Sequence, residues 1–211
     1  MLRLNSIASG SSGNCYVLET GNRYVMVDVG LPLYKIENSF SFSSDKEIDL
    51  FITHEHTDHI AGIKPFIKKY KPNVYTSEGT AATLNMKGVD VSDFYILDSH
   101  KIYSFDEYEV TPFNTLHDGN MPFGFRFDFS HSSVCFATDL GVVTKDVLGA
   151  LKKCGTIILE ANYEESMLRN GTYPQHLKKR VLSNKGHLSN SDAINTISRI
   201  FQDGLTQVFF G

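Results

Sequence analysis

A chain of 211 residues, 41% hydrophobic and 21% charged, carries enough apolar side chain for a buried core, and no run in it approaches the roughly 18 apolar residues of a membrane span. Its net charge of −4, from 20 Lys and Arg against 24 Asp and Glu, argues against indiscriminate attraction to polyanions, although local fields rather than totals steer a substrate. Three unpatterned cysteines (Cys15, Cys135, Cys154) give no sign of a disulfide framework and residues 1–5 lack an apolar signal core, so the expectation is a soluble cytoplasmic protein of one domain, residues 1–211, with no membrane partner. Two internally related halves within that domain are compatible with the length.

In chain order, runs rich in β-branched and aromatic residues predict strands at 16–18, 24–29, 50–53, 73–76, 109–112, 124–129, 133–137 and 156–160. Helical patterns predict helices at 60–70, 79–87, 145–152, 175–184 and 191–202, the last with Asn190 or Ser191 as its N-cap. The serine-rich stretch 33–46 reads as a surface loop. Strands interleave with helices throughout, which makes the fold α/β and sheet-centred.

Two turn-rich stretches stand out. Residues 9–14 read Ser9-Gly10-Ser11-Ser12-Gly13-Asn14, and residues 117–122 read His117-Asp118-Gly119-Asn120-Met121-Pro122. The first lacks a Walker lysine, so a hairpin connection is its simplest reading, with amides cradling a phosphate as the functional one. Two basic clusters, Lys64, Lys68, Lys69 and Lys71, and Lys178, Lys179, Arg180 and Lys185, read either as solvated helix faces or as contacts to phosphates.

The chemistry concentrates in His54-Glu55-His56-Thr57-Asp58-His59, directly after an apolar run and before a predicted helix. A strand-end loop can turn His54, His56, Asp58 and His59 toward one point, where a regular helix or strand would send some of them away. Imidazole and carboxylate ligands without thiolate favour zinc, manganese or iron, and two ions sharing such a cluster can activate water. Six residues do not saturate two ions. His117 opens a polar loop after a predicted strand, and Asp139 follows the apolar run 134–138, so both qualify as further ligands; Asp139 can bridge two metals. Asp28, also at a strand end, suits the orientation of a histidine ligand. His187 sits in a glycine-led loop and can bind metal or donate a proton, with Glu160 placed to raise its pKa. His100, His131 and His176 read as surface residues.

The ordered set Asp28, His54-x-His56-x-Asp58-His59, His117, Asp139 and His187 resembles the metallo-β-lactamase superfamily. That resemblance implies an αββα four-layer sandwich with a dinuclear site at one edge. Within the superfamily the likeness runs to the YycJ (WalJ) exonuclease group, through residues 8–14, Thr138-Asp139-Leu140-Gly141, Leu159-Glu160-Ala161-Asn162, Tyr173-Pro174 and Gly186-His187-Leu188-Ser189-Asn190, with a layout also similar to RNase Z. It implies His54, His56 and His117 on one metal, Asp58, His59 and Asp139 on the other, Asp58 orienting the nucleophile, and His187 with Glu160 supplying a proton.

The implied function is a metallo-hydrolase with two divalent ions, zinc or manganese with iron as an alternative. It would cleave phosphodiesters as a nuclease, DNA favoured over RNA. Relatives of this kind carry a further His-Leu-Ser histidine beyond the strand at 207–211, so the expectation is either a truncated chain that lacks the fold's last elements or a site in which His187 or water takes that histidine's place. Two rivals stand beside that reading: a small-molecule ester, thioester or lactam hydrolase on the same fold, and a catalytically incomplete nucleic-acid-binding module.

Overall fold

Residues 2–201 and 204–211 are described by the computed structural model. They fall into two compact units, one running to Asp98 and including Gly119–Phe123, the other comprising Ser99–Asp118 and Gly124–Gly211. Among the described residues no helix is long and apolar enough to cross a membrane.

The first unit is built on six strands in the order β1 (Arg3–Ala8), β2 (Cys15–Glu19), β3 (Arg23–Val27), β4 (Glu47–Phe51), β5 (Asn73–Thr76) and β6 (Tyr95–Ile96). The first three form antiparallel pairs and β3 to β6 run parallel. A parallel strand is covered on both faces, which is why β4 leads into an unbroken apolar run, Leu50, Phe51 and Ile52, fully buried. Helices α1 (Leu33–Ser39), α2 (Thr57–Ile60), α3 (Ile63–Tyr70) and α4 (Glu78–Met86) supply the connections between parallel strands. One face of the sheet buries Val17, Met26, Leu50 and Ile52 with Phe66 of α3 and Leu84 of α4.

The structure corrects two expectations and adds one strand. Residues 33–46 are not simply a surface loop: α1 buries Ile36, and Phe40 and Phe42 each pack edge-on against Tyr24 at 5.4 Å. The serine content hid the helical spacing of Leu33, Ile36 and Phe40. The helix expected at 60–70 is two helices, because Gly62 donates its N–H to Val29 O (2.8 Å) and a Cβ there would lie 2.2 Å from Leu31 O. Strand β1 went unread because only parts of it are apolar; it is an edge strand paired through Leu4 and Leu18.

The second unit carries the order β12 (Gln207–Phe210), β11 (Thr156–Leu159), β10 (Ser132–Ala137), β9 (Phe123–Phe129), β8 (Tyr108–Asn114) and β7 (Tyr103–Ser104), with β10, β11 and β12 parallel. Its helices are α5 (Lys145–Leu151), α6 (Glu165–Asn170), α7 (Gln175–Val181) and α8 (Asn190–Ile200). Cys135, Ala137, Val147, Leu159, Leu188 and Ile200 form its core. Helix α8 is capped by Ser189, one residue before the expected cap, whose hydroxyl accepts the Asp192 N–H; its expected last residue, Gln202, lies outside the described residues. Helix α6 was not foreseen.

Each unit uses the same device where a central strand ends. Asp28 after β3 and Asp139 after β10 both adopt left-handed backbone, φ 61° and 55°, a region that aspartate tolerates better than most side chains. A glycine follows two residues later in both. A Cβ on Gly30 would stand 1.7 Å from Asp58 O, and one on Gly141 2.0 Å from Asn184 O, so only glycine lets the neighbouring loop approach.

Candidate metal centre

In the first unit, the loop that follows β4 carries His54 to His59 and is held by backbone bonds on two sides. Asn14 N donates to Asp58 O at 2.7 Å and Val29 N to His59 O at 2.9 Å. Asp28, fully buried, organises the imidazoles. Its Oδ1 accepts the Thr53 N–H (2.8 Å), and its Oδ2 accepts the Thr53 hydroxyl (2.8 Å) and His59 Nδ1 (2.7 Å). Burial pushes the Asp28 carboxyl up, opposed by the charge and hydrogen bond of His59. Since Thr53 Oγ1 donates to Asp28, its lone pairs take the proton of His54 Nδ1 at 3.0 Å.

These bonds fix tautomers. With Nδ1 of both His54 and His59 donating, their Nε2 atoms present lone pairs. His54 Nε2 then stands 3.0 Å from His56 Nδ1. Two nitrogens at about 2.05 Å on a tetrahedral ion are separated by about 3.3 Å, so this pair fits a shared cation with a shift of a few tenths of an ångström. Asn14 Nδ2 lies 3.1 Å from His59 Nε2, and Asp58 Oδ2 lies 3.7 Å from it.

The second unit gathers His117, Asp139 and His187, whose ligand atoms lie within 4.8 Å of one another. His117 Nδ1 donates to Gly186 O at 2.9 Å, and its Nε2 faces Asp118 Oδ1 at 3.2 Å and Asp139 Oδ1 at 3.8 Å. Burial holds the His117 pKa below its ordinary value despite the Asp139 charge, so the neutral ring is favoured. A neutral Nε2 facing two carboxylates sets lone pair against lone pair, an arrangement that a bound cation resolves. The donor set of each unit therefore fits a divalent metal.

Glu160 is buried behind His187. Its Oε1 accepts from His187 Nδ1 at 2.5 Å, and its Oε2 accepts the N–H groups of Leu140 (2.6 Å) and Leu188 (3.2 Å). Burial pulls the His187 pKa down, but the hydrogen bond and charge of Glu160 outweigh it and raise the net value. Burial likewise pushes Glu160 up, opposed chiefly by the His187 bond.

Of the residues singled out from sequence, Asp28, His54, His56, Asp58 and His59 converge in the first unit, and His117, Asp139, Glu160 and His187 in the second. His100, His131 and His176 are exposed. Sequence reasoning missed Thr53, Asp118 and Gly186. Their only signal was adjacency to a histidine or, for Gly186, the close approach that glycine allows: a Cβ there would lie 2.2 Å from both Arg180 O and Val181 O. The phosphate cradle expected from residues 11–14 is narrowed, because the Gly13 and Asn14 amides donate to Gly10 O and Asp58 O. Lys178 is structural, its ammonium donating to Arg169 O and Gly171 O at 2.7 Å each at the C-terminal end of α6.

Residues 8–187 match the metallo-β-lactamase superfamily, and the chain belongs to it, with the metallo-β-lactamase fold. The chain is 35% identical over 212 residues to exodeoxyribonuclease WalJ of Streptococcus pneumoniae serotype 2 (strain D39 / NCTC 7466), covering 97% of this chain and 79% of that one. It is 29% identical to exodeoxyribonuclease YycJ of Bacillus anthracis, covering 99% and 81%. Among solved structures, the metallo-β-lactamase fold protein YhfI from Bacillus subtilis superposes with a TM-score of 0.74 at 15% identity, over 100% of this chain and 85% of that one.

Proposed function

We propose that this chain is a metal-dependent phosphodiesterase that removes nucleotides from DNA ends. His54, His56, Asp58 and His59, with His117 and Asp139, would be the ligands of two divalent ions, zinc or manganese, within one domain of residues 1–211. The observation that carries the reading is the set of imidazoles whose Nδ1 protons are held by Asp28, Thr53 and Gly186 O, so that His54, His59 and His117 each turn an Nε2 lone pair inward. The names of the two relatives, exodeoxyribonucleases at 35% and 29% identity, support the choice of bond and nucleic acid.

Bound divalent ions supply polarisation of a phosphoryl oxygen and a water nucleophile at neutral pH. The chain's residues do the rest. Asp58, partly exposed beside His59, orients the attacking nucleophile. His187, hydrogen-bonded to Glu160 and with its pKa raised by that contact, delivers a proton to the leaving oxygen. Exposed Lys179 and Lys185 add salt-sensitive attraction for the strand.

The test is a metal-dependent assay on end-labelled single- and double-stranded DNA and RNA. Stepwise shortening of DNA that His56→Ala abolishes is the expected result. No phosphodiester cleavage at fully loaded sites refutes the proposal. Turnover of small esters, thioesters or lactams in its place would assign the chain to that branch, and a protein that retains no metal yet binds DNA would be a binding module.

A further inference from the structure

Residues 119–123 are tethered by contacts that ligand roles do not explain. Glu55 stands between His54 and His56, and its side chain is buried, 8% exposed. Its Oε1 accepts the Asn120 N–H at 2.8 Å, while its Oε2 is buried with no hydrogen-bond partner among the described residues. Its own carbonyl accepts from Lys87 Nζ at 2.7 Å. Asn120 is anchored to α4 as well: its Nδ2 donates to Gly79 O (3.0 Å) and Thr83 Oγ1 (3.2 Å), and its carbonyl accepts from Thr80 Oγ1 at 3.3 Å. Gly79 is required beneath it, since a Cβ there would lie 2.6 Å from Asn120 O.

A buried carboxylate with one oxygen unsatisfied is costly, and an apolar side chain of similar volume would pack in its place without that cost. What an apolar side chain cannot do is accept the Asn120 N–H. We propose that Glu55 is a positioning residue whose carboxylate pins the Asn120 amide and thereby fixes the turn that begins at His117. The inference rests on the reading of His117 as a metal ligand. It makes one residue of the His54 to His59 loop responsible for the geometry of a ligand more than 60 positions away in sequence.

Reach, rather than charge, is the property at stake, and two mild substitutions separate them. Glu55→Gln keeps the length and the acceptor; Glu55→Asp keeps the charge but falls short by one methylene. Zinc affinity of the metal-free protein is measured by chelator competition, together with hydrogen exchange at the Asn120 amide. The Gln variant is expected to bind zinc within about twofold of wild type, and the Asp variant about tenfold more weakly with faster exchange at Asn120. A Glu55→Asp/His117→Ala double variant is expected to be no weaker than His117→Ala alone, because Glu55 acts through His117.

Equal weakening by Asp and Gln, wild-type affinity in the Asp variant alongside a weakened His117→Ala, or losses that multiply in the double variant would each overturn the proposal. Unchanged zinc binding in His117→Ala would instead overturn the ligand reading. That failure is distinguishable, because the Asn120 exchange contrast between the Asp and Gln variants would persist.

Discussion

Replacing Asp28 by alanine removes the acceptor for three buried donors at once, the Thr53 N–H, the Thr53 hydroxyl and His59 Nδ1. Each orphaned donor costs about 1 kcal/mol at the low end of the usual range, and a residue other than Gly, Asn or Asp at φ 61° adds about 1 more. The expected loss is about 4 kcal/mol, a large share of the roughly 5–15 kcal/mol that holds a domain folded. Asp28→Asn separates stability from tautomer. Asparagine tolerates the backbone and still accepts from Thr53 N–H, so about 2 kcal/mol is lost. Its amide turned toward His59 makes Nδ1 the acceptor and moves the ring proton to Nε2, the proposed metal-binding atom. Urea unfolding of the metal-free protein followed by circular dichroism gives the first quantity, and nitrogen chemical shifts of His59 give the second. A loss below about 1 kcal/mol in the alanine variant, or an unchanged His59 tautomer in the asparagine variant, would refute the reasoning.

Three further outcomes follow from the second unit. In metal-free protein His187 titrates above its ordinary 6.5 and Glu160→Gln brings it down, read by NMR; since the folded value is raised, the stabilisation is present below pH 6.5 and fades as pH rises through the folded value, a dependence the Gln variant flattens. Gly186→Ala forces a Cβ to 2.2 Å from two carbonyl oxygens and displaces the acceptor of His117, so a loss of about 3 kcal/mol is expected by thermal unfolding, with weaker zinc binding. Lys178→Ala, which strands two carbonyls, is expected to cost about 2 kcal/mol and leave the salt dependence of DNA binding unchanged, whereas Lys179→Ala leaves stability unchanged and lowers the slope by about 0.7 to 0.9.

Much of this protein was legible before its fold was known, because its chemistry is dense in sequence. His54, His56, Asp58 and His59 occupy six consecutive positions after an apolar run, and no ordinary surface loop concentrates imidazole so heavily. The parallel strands announced themselves through Leu50 to Ile52 and residues 156–159, since strands covered on both faces are apolar throughout. Long-range partners left weaker marks. That Asp28 would take the proton of His59, that Gly186 would offer its carbonyl to His117, and that Glu55 would face Asn120 each depend on atoms 31, 69 and 65 residues apart. Such pairings are created when β-sheets bring strand ends together, and hydrogen bonds of this kind impose no local periodicity that a sequence can display. Sequence therefore singles out the candidate ligands, through residue type and spacing. The tautomer each candidate presents comes from folded neighbours whose identities carry no signal on their own.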